Sequence, residues 1–115
     1  MTLEGSCHCG RTVVRLLRAP ASVTHCNCSL CAKTGFRGIY GTSDELEIVG
    51  EFDAYVREDI GEPFLKTMRC KSCGVITHWE PLTPPPHDRM GVNARLFDPR
   101  LIAGAEVREV DGASW

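Results

Sequence analysis

Apolar residues along this chain alternate over short spans and nowhere sustain a three-to-four residue recurrence. Alternation is the strand period, so the pattern predicts short strands and very little helix. "RTVVRLLR" (11–18) reads as the first strand and "FRGIYGT" (36–42) as another. "LEIVG" (46–50) and "AYVRE" (54–58) flank a turn around "GEFD" and read as a hairpin. "PFLKTMRC" (63–70) and "VITHWE" (75–80) flank "CKSCG", which places that cysteine pair at a second hairpin tip. "RMGVNARLF" (89–97) reads as the last core strand. "SLCAKTG" (29–35) and "PRLIAG" (99–104) suit single helical turns, and the proline-rich "EPLTPPPHD" (80–88) suits an ordered surface loop. With no internal repeat, the expectation is one mainly β domain over residues 1–115, built of short antiparallel strands with cysteines on the connecting loops.

Composition narrows the function classes. A chain of 115 residues buries a modest core. Its net charge of -2 offers no basic footprint for nucleic acid. The apolar runs are too short for a transmembrane helix. The opening "MTLEGSCHCG" lacks a basic-then-apolar leader, so a cytoplasmic location is expected. In a reducing compartment clustered cysteines read as metal ligands or catalytic thiols. There are seven, an odd number that cannot pair fully into disulfides.

Those seven fall into groups of two, three and two. "CHCG" holds Cys7 and Cys9, "CNCSLC" holds Cys26, Cys28 and Cys31, and "CKSCG" holds Cys70 and Cys73. A structural zinc takes four ligands, whereas a catalytic zinc keeps three and leaves one position open. "CKSCG" is half of a zinc-ribbon knuckle whose Gly74 frees the backbone to turn, and Cys7 with Cys9 can complete it. The triplet then remains as a three-ligand set. Two other partitions stand beside this one. The triplet can take the structural zinc with one cysteine left over, or His25, His78 or His87 can complete it into a second closed site. His8, between two cysteines, reads as a solvent-facing spacer.

"GSCHCG", "CNCSLCAKTG" and "CKSCG", with "GVNARLFDP" and "DGASW" near the end, resemble the glutathione-dependent formaldehyde-activating enzyme family (Gfa-like, or CENP-V/GFA). The resemblance covers nearly the whole chain. It implies an Mss4-like, all-β fold and two zinc ions. The structural zinc would sit on Cys7, Cys9, Cys70 and Cys73, and the catalytic zinc on Cys26, Cys28 and Cys31. It also implies a carbon–sulfur lyase-type activity that joins glutathione, or a similar small thiol, to formaldehyde.

Three thiolates leave a zinc centre at about -1, a weaker Lewis acid than a three-histidine site, so thiol chemistry suits it better than hydrolysis. Seven thiolates and two zinc ions would take the formal charge from -2 to about -5, so an anionic thiol such as glutathione needs a local cation. Lys33 and Arg37, just after the triplet, are the nearest in sequence, with Arg95 as a third. Asn93 suits either a substrate carbonyl or a turn. Trp79 and Phe36 read as core. The rival functions are a non-enzymatic zinc module presenting a surface to a protein partner, and a redox or metal-handling site.

Overall fold

The computed structural model describes residues 2–82 and 89–114. His87, most of the proline-rich segment and Trp115 lie outside the described residues. Among the described residues, ten strands form two sheets. The smaller has the order β1 (Leu3–Ser6), β2 (Val13–Leu16), β5 (Leu46–Val49). The larger has seven strands in the order β10 (Glu106–Val110), β3 (Ser22–Cys26), β4 (Gly38–Gly41), β9 (Met90–Asn93), β8 (Ile76–Pro81), β7 (Leu65–Cys70), β6 (Phe52–Tyr55). All pairings are antiparallel except β10 with β3. The mainly β expectation therefore holds. No helix among the described residues is long and apolar enough to cross a membrane.

The core lies between the sheets. Leu3, Val14, Leu16 and Leu46 of the small sheet join Val23, Ile39 and Val92 of the large one, together with Ala94, Leu96 and Phe97. Gly5 lets β1 close up on the chain at Leu96 and Phe97, because a Cβ there would meet the Leu96 carbonyl oxygen at 2.6 Å. Burying such side chains contributes roughly 1.5–3 kcal/mol each.

Strand register divides the large sheet into two faces. Ile39 pairs with Val92, Val92 with His78, and His78 with Met68, and all four are buried. The alternate row is Thr24 with Gly38, Tyr40 with Gly91, Gly91 with Trp79, and Trp79 with Thr67. Apart from Gly91, every residue in that row lines a cavity of about 980 Å³ on the sheet's other side. The two-residue period of β3 carries Cys26 onto the face of Thr24.

Several sequence expectations need correction. β5 and β6 do not form a hairpin but belong to different sheets. The segment 89–97 leaves strand geometry at Asn93 and continues as a 3-10 turn, Ala94–Leu96. It does supply the last strand with buried residues, since the β10 that follows has none. The helical turns expected at 29–35 and 99–104 are both present, as the helix α1, Ser29–Thr34, and the 3-10 turn Pro99–Leu101. Cys26 and Cys70 are terminal strand residues rather than loop residues, and Cys31 is helical.

Candidate metal and thiol site

Seven cysteines converge into two clusters. Within each, the sulfurs all lie within 4.8 Å of one another. The first joins Cys7 and Cys9, after β1, to Cys70 and Cys73, at the β7–β8 tip. Both knuckles turn on a left-handed glycine, Gly10 at φ 81° and Gly74 at φ 78°. This is a conformation glycine adopts without strain. Cys7 Sγ lies 3.6 Å from Cys9 Sγ, which lies 3.7 Å from Cys70 Sγ. A tetrahedral ion with 2.3 Å bonds to sulfur has edges of about 3.8 Å, so the spacing fits a zinc-sized ion. The backbone N–H of Thr12 donates to Cys7 Sγ at 3.3 Å. Backbone N–H groups of Cys73 and then Ser72 hold the Cys70 thiol down to about 6, against the effect of burial. None of these four cysteines lines the 980 Å³ cavity.

The second cluster is Cys26, Cys28 and Cys31. Cys26 ends β3. Cys28 is the N-cap of α1 and accepts from the Cys31 N–H at 3.4 Å. Gly35, left-handed at φ 74°, stops the helix, its N–H donating to the Cys31 carbonyl. All three cysteines line the cavity. Burial opposes ionisation of Cys28, but the Cys31 N–H, the neighbouring thiols and Arg57 outweigh it and hold this thiol below its ordinary range. Burial, then Cys28 itself, pushes the Cys31 thiol up to about 12. Charge on one sulfur thus opposes charge on the next. A cation among them removes that conflict, so the donor set fits a soft metal ion.

Arg57 was not among the sequence candidates. It lies in the segment after β6, with its side chain 16% exposed. Its Nε and Nη2 donate to the two oxygens of Asp59, each at 2.7 Å. Its Nη2 also donates to Ser29 Oγ at 3.3 Å, and its Nη1 faces Cys28 Sγ at 3.9 Å. The guanidinium holds the Asp59 carboxyl well below the usual carboxylate range. A bidentate carboxylate fixes the fork, leaving one N–H aimed at sulfur.

The C-terminal segment closes the other side. Asn27 stands between two cysteines. Its Nδ2 donates to Asp111 Oδ1 at 2.9 Å, and its Oδ1 accepts from the Ala113 N–H at 2.9 Å. Gly112 therefore lies directly on the triplet: a Cβ there would collide with Cys26 Sγ and meet Cys28 Cβ at 3.2 Å.

The other sequence candidates sort differently. Lys33 and Arg37 do not line the cavity. Arg95 donates from Nε to the Gly35 carbonyl and so closes the end of α1. Asn93 holds a turn: its Oδ1 accepts from the Arg95 N–H and its Nδ2 donates to the Ile76 carbonyl. Trp79 and Phe36, expected in the core, line the cavity instead. Trp79 lies edge-on to Tyr40 with ring centroids 5.8 Å apart. His8 is exposed as expected. His25 faces Glu109, and the buried His78 is engaged by Thr77 and Glu80. Neither joins the triplet. The four-plus-three partition is thus the one the described residues adopt.

No curated protein matches the chain. A crystal structure of a Rhodobacter sphaeroides protein is similar to it at 27% identity, with a TM-score of 0.69. That alignment covers 94% of this chain and all of the other. The sequence model of the family described as glutathione-dependent formaldehyde-activating enzyme matches residues 2–108, a span that takes in all seven cysteines. Two cysteine clusters on a mainly β, Mss4-like fold agree with that match, and the chain belongs to the glutathione-dependent formaldehyde-activating enzyme family.

Proposed function

We propose that this protein holds two zinc ions, one structural and one at Cys26, Cys28 and Cys31. At the second centre it binds a small thiol such as glutathione and promotes its addition to formaldehyde or a related aldehyde. One observation carries the reading: a three-thiol set opens into a large cavity, while a four-thiol set lies apart from it. Zinc, when bound, supplies a centre that favours the thiolate form of a sulfur ligand.

The chain's own residues supply the rest. Arg57 sets a fixed positive charge against Cys28 and offsets part of the negative charge that three cysteine thiolates accumulate. Leu30, Phe36, Ile60, Phe64 and Trp79 give the cavity apolar walls that limit competing water. The reaction balances without a further reagent. The thiol gives up its proton, the sulfur lone pair forms a bond to the carbonyl carbon, and the former carbonyl oxygen takes up a proton to become a hydroxyl. The reverse step releases aldehyde and thiol.

The test is NMR exchange spectroscopy between glutathione and S-hydroxymethylglutathione, alongside elemental analysis of protein purified without chelator. The expected result is about two zinc ions per chain and accelerated exchange that Cys28→Ser abolishes. Wild-type protein with two zinc ions and no acceleration for any of several cellular thiols would favour the binding-module alternative.

A further inference from the structure

Two cavities meet at Tyr40 and Arg89. Beyond the triplet's cavity lies a second, of about 390 Å³, lined also by Arg18, Arg108 and Glu45. The Arg89 guanidinium carbon sits 4.9 Å from the centre of the Tyr40 ring. Stacking of this kind holds the planar fork in place while leaving its edge N–H groups available to a carboxylate.

The triplet's cavity has two cationic side chains in its wall, Arg57 and Arg89. Arg57 is engaged by Asp59, Ser29 and Cys28. Arg89 has no carboxylate partner among the described residues. In the adjoining cavity Glu45 is taken by Arg18, which leaves Arg108 to add to the positive field near Arg89. Tyr40 and the Arg89 it carries line the same cavity as Cys26, Cys28 and Cys31, so thiol and guanidinium face one shared space. The cavity's 980 Å³ is at the top of the usual small-ligand range of roughly 300–1,000 Å³, enough for a thiol with an extended tail.

We infer that Arg89 is a specificity-determining residue: it takes the carboxylate of a thiol whose sulfur lies at Cys26, Cys28 and Cys31, and so selects carboxylate-bearing thiols over neutral ones. This rests on the thiol-binding reading above. A negatively charged triplet repels an anionic thiol, and Arg89 offsets that repulsion at the far end of the ligand.

Titration calorimetry of the zinc-loaded protein tests it, with glutathione and with glutathione esterified at both carboxylates as probes. Arg89→Met should weaken glutathione binding on the order of 10-fold, the size of one charge-assisted hydrogen bond, and leave the ester unchanged. Arg89→Lys should recover part of the loss. Lys33→Met makes the same change in net charge away from the cavity and should alter neither. An equal loss for both probes in Arg89→Met, or no loss, overturns the assignment of Arg89 alone. Wild-type protein that binds neither probe overturns this assignment and the thiol-binding reading together.

Discussion

Gly91→Ala is a one-carbon change that should damage this protein out of proportion to its size. Trp79 pairs with Gly91 in the β8–β9 ladder, and its indole occupies the space beside the Gly91 Cα. An added Cβ would collide with the indole nitrogen and stand 2.7 Å from Cε2 and 2.9 Å from Cδ1, closer than real Cβ atoms approach anything. The indole must therefore swing away. Overpacking of this kind costs about 1–3 kcal/mol, and the lost edge contact with Tyr40 adds about 0.5–1.5 kcal/mol. Replacing glycine within a strand returns about 0.5–1 kcal/mol of backbone entropy. The net loss is about 0.5–4 kcal/mol, centred near 2, or a fall in melting temperature of roughly 2–16 °C at about 4 °C per kcal/mol. Circular dichroism melts measure the loss, and indole fluorescence reports the displaced ring. Gly104→Ala is the control, since a Cβ there meets nothing within 4 Å; its effect should stay within about 0.5 kcal/mol. If Gly91→Ala melts within 2 °C (roughly 0.5 kcal/mol) of wild type with unchanged fluorescence, the account of the cavity floor is wrong.

The two cysteine sets should respond unequally to loss of a ligand. Cys9 and Cys70 are 61 residues apart whereas the triplet spans six, a difference of about 2 kcal/mol in loop closure alone. Cys70→Ser should therefore yield insoluble or unfolded protein. Cys28→Ser keeps a good N-cap acceptor for α1 and should stay folded, with melting temperature lowered by roughly 10 °C or less; the opposite pattern in circular dichroism melts would reverse the assignment. Gly112→Ala should push the C-terminal segment off Cys26, leaving a folded protein that elemental analysis finds holding close to one zinc after mild chelation. His78 carries a pH signature: burial lowers its pKa below the ordinary 6.5, so the unfolded chain binds the extra proton first. Its stabilising contribution is complete above about pH 6.5 and declines as pH falls from there towards the folded value. In urea titrations between pH 7.5 and 5.5, His78→Gln should show a shallower decline than wild type, and an equal slope would rule His78 out as its source.

What could be read in advance followed the strength of local rules. Cysteine spacing is a short-range rule that picks out two pairs and a triplet, and the structure brings the two pairs together and keeps the triplet apart. The second hairpin was legible because "CKSCG" supplies both a turn and two alternating flanks. β1, β3 and β10 were not legible. β1 is four residues long, β3 runs straight into the cysteine triplet that dominates its reading, and β10 shows no buried residue to set up alternation. The false hairpin at 46–58 arose because alternation marks strands without saying which sheet they join. Arg57 reaches Cys28 across 29 residues of chain, and no spacing rule spans that distance. Trp79 looked like core because it is large and aromatic, yet its neighbour His78 takes the buried face. Parity within β8 settles which of the two points inward, and parity depends on register that hydrophobicity alone left open.

The division of the large sheet into a packed face and a cavity face has a consequence for how this protein can vary. Side chains on the cavity face, such as Thr24, Thr67 and Trp79, can be exchanged without reaching Ile39, Val92 or Met68 on the other side. Volume-conserving substitutions there can reshape the cavity while leaving the packing between the sheets in place. Insertions and deletions cannot be separated in this way. Removing one residue within β8 or β9 would turn the indole inward and the imidazole outward, spoiling the fold and the ligand chamber in one event. Sequence drift in this scaffold should therefore run by volume-conserving replacement along the chamber wall, while changes of length should be confined to the connections between strands.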